Sequence, residues 1–323
     1  MAPAVHAASG AVLQAVAARD AGRAAALAPA GRVHAGYQAL LEDPEVEVAY
    51  ISLSNEAHVP WAIAALRAGK HVLCEKPLAL DEATAAQAFA AAEAADRLLV
   101  EAFMYRWHPR TRRAEQLVAA GELGSVVSVD SAFCFDDTDL AGASAGNYRL
   151  DPDRGGGALY DVGVYPLSVA RWAIAGFGDR AGPLALESVS VTSSAGLSPL
   201  APVDLRTDVR LTTPAGQVVD IRAAIAGARE ESATITGTEA VLRLDGKPFT
   251  TWHSPCDLVI ADPAGELRPG IESFGPVDPY QLMVEAVAAR VRGEAAFVVP
   301  AADSLAIAAV TGLIRAASAA MVC

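Results

Sequence analysis

His71-Val72-Leu73-Cys74-Glu75-Lys76-Pro77 is the stretch that decides the fold. The run His71 to Cys74 follows the turn residues Ala68-Gly69-Lys70 and is too short for a helix. Bounded in this way, it reads as a buried strand of a parallel sheet. Open α/β sheets bind ligands at the carboxyl ends of such strands, and a lysine stands at that end here. The Lys76 ammonium can hydrogen-bond a substrate oxygen and stabilise charge developing on it. It also favours the deprotonated form of a neighbouring acid. An arbitrary lysine after a strand is usually only solvated. Here Glu75 can hold the ammonium and Pro77 fixes the turn.

Working outward, residues 11–103 alternate strand and helix. An apolar run at 11–17, helices at 21–27 and 36–41, and the strand VAYISL at 48–53 come first. An amphipathic helix at 58–68, the strand at 71–74, an alanine-rich helix at 81–96 capped by Asp81, and a strand at 98–103 complete the pattern. Such alternation implies βαβ units and a Rossmann-like parallel sheet. Beyond residue 124 the segments 125–135, 186–193, 203–212, 217–226 and 231–236 alternate apolar and polar residues between Gly, Pro or Asp turns. That predicts a mainly antiparallel, open-faced sheet in an α+β domain. Helices are expected at 158–175, 279–292 and 303–319. The domains divide as 1–106 and 107–323.

The chain has 323 residues, 53% of them hydrophobic and 20% charged, which is a globular composition with room for two cores. A net charge of −13 argues against nucleic acid and anionic membrane surfaces as partners. Cys74, Cys134, Cys256 and Cys323 are scattered without CxxC or Cys/His clusters. They read as reduced thiols of a cytoplasmic protein, not as a disulfide frame or metal site. The alanine-rich start lacks a basic region and a cleavage site, so it is not read as a signal peptide. No uninterrupted apolar stretch reaches the ~18 residues of a membrane span.

Other candidates gather around the same sheet edge. Gly155-Gly156-Gly157 allows close backbone approach at a helix start. Asp161 and Tyr165, four residues apart, share one face of that helix. A phenol can act as general acid or base toward an alcohol/carbonyl pair if a nearby cation lowers its pKa from about 10. The competing reading is a buried tyrosine and an aspartate complementing the helix dipole. Ser54, Asn55 and His58 follow VAYISL, while Arg106, Trp107 and His108 follow the last parallel strand. Both groups arrive at the carboxyl edge of the sheet; taken alone, the first reads better as the N-terminal turn of a helix, and the second reads as pocket residues or as ordinary structural ones. Arg19, at the end of the first apolar run, suits the 2′-phosphate of NADP, whereas an acid there would bind the ribose of NAD. Asp20 reads as an N-cap. Gly142-Ala143-Ser144-Ala145-Gly146 fits the G-x-S-x-G pattern but lacks the flanking strand and helix, so it is read as a loop.

Together these residues resemble the glucose–fructose oxidoreductase/inositol dehydrogenase (Gfo/Idh/MocA) family over essentially the whole chain. The motifs that carry this are Glu75-Lys76-Pro77, the His58 helix leading into Ala-Gly-Lys-His-Val, and the Gly-Gly…Asp-x-Gly segment. The resemblance implies NAD(P)-dependent hydride transfer with a sugar or dihydrodiol, and a homo-oligomer paired through the second sheet. Lys76 would be the catalytic lysine, with Asp161 and Gly157 at the substrate. Arg19, Ser54, Asn55, His58, Glu75, Lys76 and Pro77 would lie at the cofactor. Tyr165, where many members carry histidine, places the chain nearer NADP-dependent xylose dehydrogenase and dihydrodiol dehydrogenase. Ser54 stands where proline is common.

A further departure lies at the start of the chain, where the family opens with a strand and a Gly-rich turn holding the pyrophosphate. The sequence here reads as beginning late in the first helix, so that 11–17 is the second strand. In the family's order 3-2-1-4-5-6, the missing strand is central. Its loss orphans buried backbone groups at ~1–3 kcal/mol each. An upstream start, direct pairing of the two flanking strands, or abandonment of the cofactor would each account for this. The first is favoured because the rest of the site is intact. The alternative to an enzyme is a non-catalytic protein that binds a sugar or a partner.

Overall fold

A computed structural model describes residues 1–136, 147–174, 188–195, 203–264 and 267–320. The G-x-S-x-G segment and Cys323 lie outside these residues.

The first part of the chain is built of short parallel ladders under helices. Helix α1 (Ala2–Ala7) precedes β1 (Ala15–Ala17), α2 (Ala21–Ala25), β2 (Arg32–His34) and α3 (Tyr37–Leu41). Then come β3 (Val48–Ile51), α4 (His58–Arg67), β4 (His71–Cys74), α5 (Glu82–Ala95) and β5 (Leu99–Glu101). Asp20 caps α2 by accepting from the Arg23 N–H at 3.0 Å, and Asp81 caps α5 through the Thr84 N–H at 2.8 Å. β4 occupies the expected residues, flanked by β3 and β5 in parallel register. The run at 11–17 yields only three strand residues, and β2, too short and charged to show periodicity, was not foreseen.

β1 pairs only with β2, and β3 pairs only with β4, so the parallel strands form two separate sheets. Direct pairing of β1 with β3, one of the three possibilities raised by the sequence, does not occur. Between them lies a cavity of about 940 Å³.

A helix α6 (Pro109–Ala119), started by His108, leads into the second part. Its sheet holds β6 (Val126–Cys134), β7 (Ser188–Ala195), β8 (Asp204–Thr212), β9 (Val218–Ala224) and β10 (Glu230–Gly237). β11 (Val241–Leu244), β12 (Cys256–Ala261) and β13 (Leu267–Phe274) extend it on one side. The order is β13-β12-β11-β10-β6-β9-β8-β7; every pair is antiparallel except β6 with β9. The last three strands and α6 were not predicted. The helix expected at 158–175 begins with a π-helical turn over residues 159–163 before α7 (Val164–Ala173). Helices α8 (Pro279–Val291) and α9 (Ala301–Ala320) close the chain. By length and composition Ala301–Ser318 could cross a membrane, but 56% of it is buried in this fold, where α9 packs on α5 and α7. Cys74, Cys134 and Cys256 are buried free thiols.

Candidate active site

Lys76 follows β4 at its carboxyl end, as the sequence reading placed it, and its peptide bond to Pro77 is cis. Its ammonium crosses to the second part of the chain. Nζ donates to the backbone oxygen of Asp161 at 2.6 Å and to Oδ1 of the same residue at 3.1 Å. An ammonium has three N–H donors, so these bonds leave one for a ligand. Arg149 Nε donates to the other carboxylate oxygen, Oδ2, at 2.8 Å. Burial alone would raise the pKa of Asp161, but the charges of Lys76 and Arg149 and their hydrogen bonds outweigh it. The carboxyl is held below its ordinary value and stays ionised.

The turn carrying Lys76 is pinned from several sides. His58 Nδ1 lies 2.8 Å from the Pro77 carbonyl oxygen and Nε2 lies 3.0 Å from that of Leu53. Burial lowers its pKa against the pull of both carbonyls. His58 is 1% exposed, and its ring ties the end of β3 to the turn. The Leu78 N–H donates to Glu101 Oε1 at 2.8 Å, and the Tyr50 hydroxyl donates to Glu75.

The two parts of the chain are stitched together around this lysine. Asn55 Nδ2 donates to the Gly155 carbonyl at 2.8 Å, and the Tyr160 hydroxyl donates to the Leu80 carbonyl at 2.8 Å. Arg154 Nη2 donates to Ser54 Oγ at 3.0 Å. Asn55 is therefore an inter-domain tie. Gly157 has a structural reason beyond substrate access: its φ is +112°, and a Cβ would sit 2.1 Å from Asp204 Oδ1. Asp204 in turn accepts from the Leu159 N–H at 2.8 Å, which fixes the start of the helical segment.

Tyr165 lies beneath the lysine, with Lys76 Nζ 5.4 Å from its ring centroid. The ring packs in an aromatic cluster with Phe133 and Phe249, at centroid distances of 5.2 and 5.4 Å. Its hydroxyl points at Met104 Sδ, 3.7 Å away. Burial first, then the oxygens of Tyr280, Glu75 and Asp161, push the phenol well above its ordinary pKa. The sequence reading expected the opposite direction. The cation meets the ring face, and its charge does not compensate for the loss of water.

Arg106, Trp107 and His108 are also placed differently from expectation. Arg106, 3% exposed, donates to Glu115 and, at 3.1 Å, to Asp303. Trp107 Nε1 donates to the Phe297 carbonyl at 3.0 Å. His108 caps α6 by accepting from the Arg110 N–H at 3.1 Å, and burial depresses its pKa to about 4. All three are engaged in the core and do not open onto the lysine. Arg149, absent from the sequence reading, is the residue that reaches the site in their place.

Residues 1–103 match the oxidoreductase family with an NAD-binding Rossmann fold, and residues 111–243 match the GFO/IDH/MocA C-terminal domain. The chain belongs to the GFO/IDH/MocA family. An uncharacterized oxidoreductase of Rhizobium meliloti is 34% identical over 90% of this chain and 84% of its own length. A D-xylose 1-dehydrogenase (NADP(+)) of Haloferax volcanii is 38% identical over 85% of this chain and 79% of its own. A 3-ketoreductase from Actinomadura kijaniata, solved with NADP and TDP-benzene, superposes with a TM-score of 0.81 at 26% identity. That match covers 98% of this chain and 92% of the other. The same enzyme has also been solved with a lysine replaced by alanine and with a tyrosine replaced by phenylalanine.

The GFO/IDH/MocA chain described here is thus an NAD(P)-dependent oxidoreductase by family. Its residues fit a dinucleotide at two points. Arg19 is exposed just past the carboxyl end of β1, and Lys76 retains an N–H at the end of β4. Among the described residues no strand fills the space between β1 and β3.

Proposed function

We propose that this protein interconverts a carbonyl and an alcohol on a sugar or related diol, with NADP as the hydride carrier. The observation that carries this reading is the Lys76 ammonium over the Tyr165 ring, held by Asp161, which Arg149 also engages. NADP, when bound, supplies or takes up the hydride. Lys76 directs its remaining N–H at the substrate oxygen and stabilises negative charge there. Asp161 fixes the ammonium in position and, with Arg149, leaves the cluster net positive by one charge.

Tyr165 is assigned to proton donation. A phenol held well above its ordinary pKa stays neutral, which suits giving a proton to an alkoxide better than taking one from an alcohol. Its present acceptor is a thioether, a weak one. The O–H can therefore turn about its C–O bond toward a substrate oxygen. Carbonyl reduction is the direction this favours. Arg19 takes the 2′-phosphate, and the cytoplasm, where NADP is available, is the assigned compartment.

Loss of NADPH absorbance against a panel of ketoses, aldoses and keto-sugar nucleotides tests the reading. The expected result is turnover with at least one sugar carbonyl, faster with NADPH than with NADH. Absence of turnover across the panel, with NADPH bound, would favour a binding protein instead.

A further inference from the structure

The turn that carries Lys76 and the helix that carries Tyr165 belong to different parts of the chain, yet both are held by neighbouring residues at the start of α9. On one side, Glu101 ends β5, where it pairs with Cys74 of β4, and its Oε1 accepts the Leu78 N–H at 2.8 Å. Leu78 is two residues past Lys76, so this bond fixes the course of the chain where the lysine leaves β4. The Glu101 carboxyl also bonds the hydroxyl of Ser304, in the first turn of α9. On the other side, Asp303 Oδ1 accepts from Arg171 Nε at 3.0 Å. Arg171 stands on α7, the helix that begins with Val164 and Tyr165.

The segment after β5 closes this frame. Tyr105 donates its hydroxyl to Ser168 Oγ on α7 at 2.8 Å, and Arg106 Nη1 donates to Asp303 Oδ2 at 3.1 Å. Glu101, Arg106, Ser168, Asp303 and Ser304 are all buried. Leucines in such places would pack without desolvating a charge, whereas each buried charge must be offset by its partners. Attachment of α9 needs no such network, because Leu305 and Ala308 already pack into one apolar core and Ile307 and Val310 into another. What hydrogen bonds add over apolar packing is direction and a fixed length. Reacting groups need both, since a displacement of ~1 Å can cost about 10²-fold in rate.

We propose that Glu101 is a positioning residue for Lys76, and that Glu101, Ser304 and Asp303 together set the placement of the lysine ammonium relative to the Tyr165 phenol. Glu101 acts through the Leu78 amide, which directs Lys76 toward Asp161, and not on the substrate itself. The inference rests on the role given above to Lys76 in carbonyl reduction.

Two measurements on the whole chain test it: single-turnover hydride transfer from NADPH to the sugar carbonyl that turns over fastest in the panel above, and amide hydrogen exchange at Leu78 without ligands. Glu101→Leu removes the acceptor. It should slow transfer by about tenfold or more while changing the KM for the sugar less than about threefold. Leu78 exchange should quicken by about tenfold or more. Glu101→Gln, which keeps an oxygen for Leu78, should rescue both. In a Lys76→Met background Glu101→Leu should cost no further rate, because residues that act as a unit do not add. Ser304→Ala, which loses only a hydroxyl, should show the same pattern at smaller size and replaces the leucine variant if that does not fold. Equal rate losses in the wild-type and Lys76→Met backgrounds would reveal a general lesion and overturn the proposal. A wild-type rate despite faster Leu78 exchange would do the same. Full activity of Lys76→Met alone would overturn the assignment of the lysine, and this proposal with it.

Discussion

Glu101 carries the sharpest physical prediction. It ends β5, is 2% exposed, and accepts the Leu78 N–H through Oε1 at 2.8 Å. Burial raises its pKa from the ordinary 4.5 to about 7, against the opposing pull of Ser304, the Leu78 amide and Lys76. Asp303 adds to the rise. The fold therefore favours the protonated acid. Its contribution to stability is complete below the unfolded pKa near 4.5 and is lost as pH rises through about 7. At ~1.4 kcal/mol per pH unit the loss is about 3 kcal/mol.

Glu101→Gln removes that titration while keeping an acceptor for Leu78. Its new N–H₂ can donate to the hydroxyl oxygen of Ser304, which lies beside this carboxyl. Urea unfolding at pH 5 and pH 8 measures the difference, because other titrating groups cancel between the two proteins. Wild type should lose about 2.5 kcal/mol more than the variant over this interval. Equal pH dependence in the two proteins would refute the reasoning that burial holds this carboxyl neutral.

Other predictions concern neighbouring residues. Gly157→Ala should destabilise the fold by about 2 kcal/mol or more, seen as a lower urea midpoint, because the added methyl meets Asp204 Oδ1 in a left-handed backbone conformation. Tyr165→Phe should leave NADPH affinity unchanged and lower the rate of carbonyl reduction by roughly 10²-fold or more in a stopped-flow trace. A variant with full rate would remove the phenol from proton transfer. Arg19→Ala should raise the KM for NADPH by roughly 10–100-fold with little change for NADH, as loss of a charge-assisted contact of ~1.5–3 kcal/mol requires.

Much of the fold was legible because it rests on local pattern. The burial of β4 and the Asp81 cap of α5 follow from neighbouring residues alone. β2, with Arg32 and Val33 exposed, carries no periodic signal. α6, whose residues are mostly polar, lies just past the expected domain boundary and carries little apolar periodicity. At the site, Lys76 and Asp161 could be named from their motifs, but Arg149 could not, since it comes from a single short 3₁₀ turn at 148–150 with no periodic pattern. The same limit explains Arg106 and His108. Their charge suggested a pocket, while their partners Asp303 and Cys256 lie well over a hundred residues away in sequence. The direction of the Tyr165 pKa depended on an aromatic cluster assembled from four separate elements. Proximity to a cation was readable in advance, but the burial that outweighs it was not.

The central claim is that the Lys76 ammonium, steadied by Asp161, stabilises charge on the substrate oxygen. Single-turnover hydride transfer from bound NADPH to a sugar carbonyl, compared between wild type and Lys76→Met, tests it most directly. The rate should fall by roughly 10²–10⁴-fold with NADPH affinity and thermal stability nearly unchanged. Transfer at the wild-type rate would contradict the account.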